Sequence, residues 1–359
     1  MMKSYLTMTT ALLALSVSGG GAALAQPPAL AGSGITDAEI VTAAGAPLFQ
    51  GMGAYKRKIS TRSQAANRYF NQGMVLAFGF NHAESIRSFR AAQRLDPSCA
   101  MCFWGEALAT GPNINVTSKG KAVMSDAERK AAFAAINRAL ALKDAATPLE
   151  QALIEAQAKR YNGDPATDRA PLDRAYADAM EQVVTTYPDD DDAAAIYSEA
   201  LMNTMPWDYW SADGTPKPET EKVIAALERI ITRSPEHPLA LHLYIHAVEA
   251  SAEPGRAEDE ADTLANLVPG SGHLVHMPAH IYWRSGPRPW MKNISPPATR
   301  RDSIRQCIIR IISIFSGQQP AWRARAGWLS IRRARSLQMS GWSKSSNFRQ
   351  WSSSRPFRC

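Results

Sequence analysis

The chain has 359 residues and a formal net charge of +7, which taken whole would suggest a nucleic-acid or membrane partner. The charge is unevenly placed, however. Residues 285–359 carry 13 Arg and 2 Lys against Asp302 alone, a net +14, so residues 1–284 sum to −7 and support neither partner.

From the amino terminus, Lys3 precedes an apolar run from Leu6 through Leu15, and Ala23-Leu24-Ala25 stands before Gln26. That is the layout of a secretory signal peptide over residues 1–25, so an exported chain is expected, periplasmic in a Gram-negative source. No later stretch offers about 18 uninterrupted apolar residues, so no membrane span is expected. Residues 26–65 are taken as an N-terminal linker and extension, rich in Pro, Ala and Gly as far as Gly34.

From about Ala66 the apolar and small residues fall at spacings of three and four, which predicts helices with the prolines between them. Candidate helices are Ser125–Leu142, Thr147–Tyr161, Ala170–Tyr187, Glu219–Ser234 and Arg256–Val268, with others starting near Asp191, Pro238 and Gly272. The acidic run Asp189–Asp192 stands at a helix start, where dipole and solvation explain it better than metal binding. Cys99 and Cys102 fall in a helix's first turn, where a local disulfide, a buried pair and a redox or metal use all stay open. A thioredoxin-type βαβ context is missing, and Phe103 in place of His excludes a c-type haem attachment.

Residues 66–99 resemble the tetratricopeptide repeat: Gly73 is the small residue of the first helix, Phe89 and Ala92 pack from the second, and Asp96-Pro97 is the stop. The resemblance implies an all-α fold, a solenoid of antiparallel helix hairpins over residues 66–284, with its register lost at 111–165. It also implies a concave groove that holds a peptide, a protein partner or a small ligand.

The histidines carry the chemical signal, since six of seven lie within residues 237–280. His242 and His246 recur 34 residues later as His276 and His280, the period of that repeat. Imidazoles four apart share a helix face. The resemblance places all four in the groove with Glu199, and lines the groove further with Asn203, Glu249 and Trp283. Two uses stay open for such a cluster: hydrogen-bonded polar residues lining a ligand-binding groove, or a site for a divalent transition metal with His242, His246, His276, His280 and Glu199 as the candidate ligands. A zinc-protease motif is excluded, because neither pair carries Glu at its second position. Pro278 complicates the second pair: a helix starting there leaves His276 outside it and brings in His273 as a competing ligand. His237 is expected as a surface turn residue and His82 as a satisfied turn contact.

After Arg284 the helical pattern stops and five of nine tryptophans follow, at 290, 322, 328, 342 and 351. Shifting the frame of plausible codons restores helix-like sequence, so residues 285–359 are expected to be an out-of-frame, disordered tail.

Overall fold

The computed structural model describes residues 36–118 and 121–285. The leader at 1–25 and all of the tail but Ser285 lie outside the described residues. The fold is all-α, apart from a two-residue ladder pairing β1 (Thr117–Ser118) with β2 (Lys121–Ala122).

The helices begin where local chemistry satisfies their first amides. In α1 (Asp37–Ala44), α5 (Asp126–Leu142) and α6 (Pro148–Ala158), the cap is Thr36, Ser125 or Thr147, and a Glu three residues on reaches back to it. Single side-chain caps start α2 (Gln64–Phe78) from Ser63, α7 (Arg169–Thr186) from Asp168 and α8 (Asp191–Thr204) from Asp190. Proline opens α9 (Pro218–Arg233) and α10 (Pro238–Val248), at a position that needs no amide hydrogen. The series is completed by α3 (His82–Leu95), α4 (Ala100–Thr110), α11 (Glu258–Leu267), α12 (Gly272–His276) and α13 (Pro278–Ser285).

Each helix packs on the next from α2 to α7 and from α7 to α11, and there is a second set of contacts between alternate helices: α2 with α4, α4 with α6, α8 with α10. Phe89 of α3 sets the closest of these distances. A Cβ at Gly73 of α2 would stand 2.8 Å from its ring, and one at Gly105 of α4 only 2.3 Å, so both helices approach that ring through glycine. The segment 111–165 keeps this packing. A loop and the short ladder separate α4 from α5.

The array also turns back on itself, since α10 packs against α2 as well as α8, α9, α11 and α13. Every residue of α10 is buried, as a helix enclosed on all sides requires. Residues 46–63, inside the expected linker, form a strap over the end of α3 and the starts of α6 and α8. Arg57 reaches Asp190 at 3.1 Å and Asp192 at 2.6 Å, Ser60 donates to Glu150, and Thr61 and Arg62 donate to Asp96. Asp189–Asp192 is therefore more than a solvated helix start: Asp190 and Asp192 anchor the strap, and Asp189 and Asp191 take Arg233.

Candidate metal centre

The seam between α2 and α10 gathers five histidines. His242 and His246 stand one turn apart on α10, His273 and His276 lie on α12, and His280 lies on α13. The α-helical hydrogen bonding lapses at Met277 before Pro278 and divides α12 from α13, but Met277 keeps helical dihedrals (φ −53°, ψ −37°), so His273, His276 and His280 stay on one face, with His273 against His242. Neighbouring rings then close a circuit: 4.9 Å between His242 and His246, 5.1 Å on to His280, 5.3 Å to His276, 4.6 Å to His273 and 4.9 Å back to His242.

Hydrogen bonding decides which nitrogens face the other rings. His242 Nδ1 lies 2.6 Å from the Phe78 carbonyl, which only accepts, so Nδ1 carries the hydrogen and Nε2 keeps its lone pair. Glu249 does the same for two rings, its Oε1 accepting from His246 Nδ1 at 2.9 Å and its Oε2 from His280 Nδ1 at 2.8 Å. His242 Nε2 faces His273 Nε2 at 3.1 Å, and His276 Nε2 faces His280 Nε2 at 3.3 Å. The Nε2 atom of His246 is buried with no hydrogen-bond partner.

Two triads have ligand atoms within 4.8 Å of one another: His242, His246 and His273, and His246, Glu249 and His280. Ligand nitrogens at about 2.0–2.1 Å from a tetrahedral zinc stand about 3.3 Å apart, close to the spacing of both Nε2 pairs.

The electrostatics favour a cation. Burial, then the neighbouring rings His273 and His246, holds His242 well below the ordinary imidazole range. Burial and His276 bring His273 down to about 2, and burial and His280 bring His276 down to about 4, so these rings stay neutral. Burial would raise the Glu249 carboxyl, but His280 and His246 outweigh it and keep the group ionised.

Two aromatic residues wall the site, each in a strained conformation. Phe80 (φ 53°) and Trp207 (φ 63°) are the two non-glycine residues with positive φ among those described. The Phe80 ring lies 4.6 Å from that of His242 and 5.3 Å from that of His273, and Trp207 stands edge-on to His246 at 5.1 Å. Backbone strain of this kind concentrates where a fixed geometry is needed.

Several expected positions fall elsewhere. Glu199 is in neither triad: burial, opposed by the Arg160 guanidinium, pushes its carboxyl up to about 7. Asn203 is buried near enough to lower that carboxyl, yet neither of its amide atoms makes a hydrogen bond of ordinary geometry. Trp283 is 71% exposed, not enclosed in a groove. Glu249, expected only to line a groove, instead orients two imidazoles. His237 is buried, not a surface residue, because its Nδ1 caps α10 at the Ala240 amide while Nε2 meets Asp192 at 3.1 Å. His82 rests in its turn between the Ala109 carbonyl and Asn113. Cys99 and Cys102 are joined by a disulfide, buried at the start of α4.

Phe80 and Trp207 have no signal in the sequence, since neither a left-handed backbone nor contacts with residues as distant as His242 from Phe80 and His246 from Trp207 leave a local pattern. No family model, no curated protein and no solved structure matches the chain.

Proposed function

We propose that this chain is a metalloprotein built on a tetratricopeptide-like helical solenoid, binding one divalent transition-metal ion through His242, His246 and His273. One observation carries the reading: His246 Nε2 is buried without a partner while its Nδ1 is tied to Glu249. A buried polar atom of this kind is destabilising by about 1–3 kcal/mol unless something binds it. A carboxylate behind a ligating imidazole is also the usual way a protein fixes the ligand's tautomer and raises its basicity. The donor set is imidazole nitrogen with a carboxylate behind it, which suits Zn2+, Cu2+, Ni2+ or Fe2+ better than Mg2+ or Ca2+. Export to the periplasm, on the strength of the leader sequence, is part of the same proposal.

Elemental analysis of protein purified without a histidine tag tests it. About one metal ion per chain is expected, and less than about 0.1 per chain would count against the proposal. The variant His246→Ala should lose the ion while keeping its helical circular dichroism.

A second reading, a surface that holds a peptide or protein partner, is favoured by Val275 and Trp283, 42% and 71% exposed on α12 and α13. It expects partner binding to survive His246→Ala and to fail with Trp283→Ala.

A further inference from the structure

Resting on that reading, we infer that His276 and His280 form an outer exchange position through which the metal ion enters and leaves the triad of His242, His246 and His273. The five rings differ in depth: His242 is fully buried and His246 nearly so, at 2% exposed, whereas His273 and His276 are only partly buried and the His280 side chain is 21% exposed. The deep side is shut, with Phe80 over His242 and His273, Trp207 against His246, and the fully buried α10 beneath. Among the described residues, the open approach to the triad is therefore past the rings of α12 and α13.

Those rings are arranged to hold an ion without trapping it. Their Nε2 atoms stand 3.3 Å apart, the right span for two ligands on one ion; His276 belongs to neither close triad, whereas His280 shares one with His246 and Glu249 and so links the outer position to the inner ring. Two imidazoles leave the remaining coordination positions to water, so the ion stays exchangeable there. Each outer ring also neighbours an inner one, His276 beside His273 at 4.6 Å and His280 beside His246 at 5.1 Å. The ion can thus trade ligands one at a time, inner imidazole for outer imidazole or water, without being stripped of its shell. Glu249 spans the two positions, with one oxygen on inner His246 and the other on outer His280, so the carboxylate charge serves both.

A relay and a ligand differ in kinetics. A residue that only carries the ion along the path changes uptake and release by the same factor and leaves the equilibrium alone, because the path is traversed in both directions. The experiment is stopped-flow loading of the full chain with Zn2+ and its release to a fluorescent chelator, comparing wild type with His276→Ala, with His273→Ala as the inner-ligand control. Thermal melts check that both variants fold, and His276→Asn serves if the alanine variant does not.

For His276→Ala, Kd should stay within about threefold of wild type while uptake and release both slow by about tenfold or more; for His273→Ala, Kd should rise by about tenfold or more. Unchanged rates in His276→Ala would overturn the inference and leave the metal site standing, and so would a Kd raised about as far as in His273→Ala, which would make His276 a ligand. A wild-type chain that takes up no Zn2+ would overturn the metal reading itself, and this inference with it.

Discussion

His246 Nδ1 donates to Glu249 Oε1 at 2.9 Å, and this one bond turns the bare nitrogen of His246 toward the other imidazoles. The two residues are three apart on one helical turn, so the contact needs no long-range folding to form. Its partner bond, from His280 Nδ1 to Glu249 Oε2, joins α13 to α10.

Replacing that carboxylate should therefore weaken the metal site without removing a member of the three-histidine set. Glu249→Gln keeps an acceptor for one ring but not for both. Competition with a chromophoric chelator is expected to show affinity reduced about 10- to 100-fold, the usual effect of losing an outer partner of a metal ligand. Affinity equal to wild type would mean that the carboxylate does not tune the site.

The buried Glu199 should make stability depend on pH. Its folded-state value of about 7 lies above the ordinary 4.5, so the unfolded chain gives up the proton first. Stability contributed by the protonated form is complete below about pH 4.5 and declines as pH rises to about 7. Glu199→Gln should be more stable than wild type at pH 8 by about 3 kcal/mol, with the difference closing near pH 4. Urea melts across that range check it, and a variant less stable at pH 8 would refute it.

Gly105 has no room for a side chain, since its Cβ would enter the Phe89 ring. Gly105→Ala is expected to lower stability by about 1–3 kcal/mol in thermal melts, despite alanine's better helix propensity. An unchanged or raised Tm would show that Phe89 can move aside.

The strap depends on Arg57, which lies between Asp190 and Asp192. Burial alone would raise the Asp192 carboxyl, but the His237 ring and the Arg57 guanidinium outweigh it and hold the group below its ordinary 3.8. The stability this gives is present above about pH 4 and fades as pH falls through the folded-state value. Arg57→Ala should lose about 3 kcal/mol at pH 7, with a smaller loss at an acid pH low enough for Asp192 to take up its proton. Equal losses at both pH values would assign the effect to packing instead.

The sequence revealed helices better than it revealed the site. Ser125, Thr147 and Pro238 mark helix starts because caps and N-terminal prolines are local chemistry, and α5, α6 and α10 begin beside them. The capping box of α1 was equally local, in Thr36 and Glu39, but the surrounding Pro and Gly obscured it. The histidine spacing anticipated that these rings gather, and His276 and His280 do stand with their Nε2 atoms 3.3 Å apart, while His273, three residues earlier on the same face, joins them against His242. Glu199 was misplaced: an assumed regular repeat fixes which residues share a groove, while the real array folds α10 back onto α2. The Phe78 carbonyl that orients His242 comes from the far end of that array, and only the tertiary fold reveals it.

X-ray absorption at the metal edge of the Zn2+-loaded chain tests the central claim most directly. A first shell of nitrogen at about 2.0–2.1 Å is expected, with the outer-shell scattering of at least three imidazole rings, reduced by one ring in His273→Ala. A shell of oxygen alone, or imidazole scattering unaltered in that variant, would contradict it.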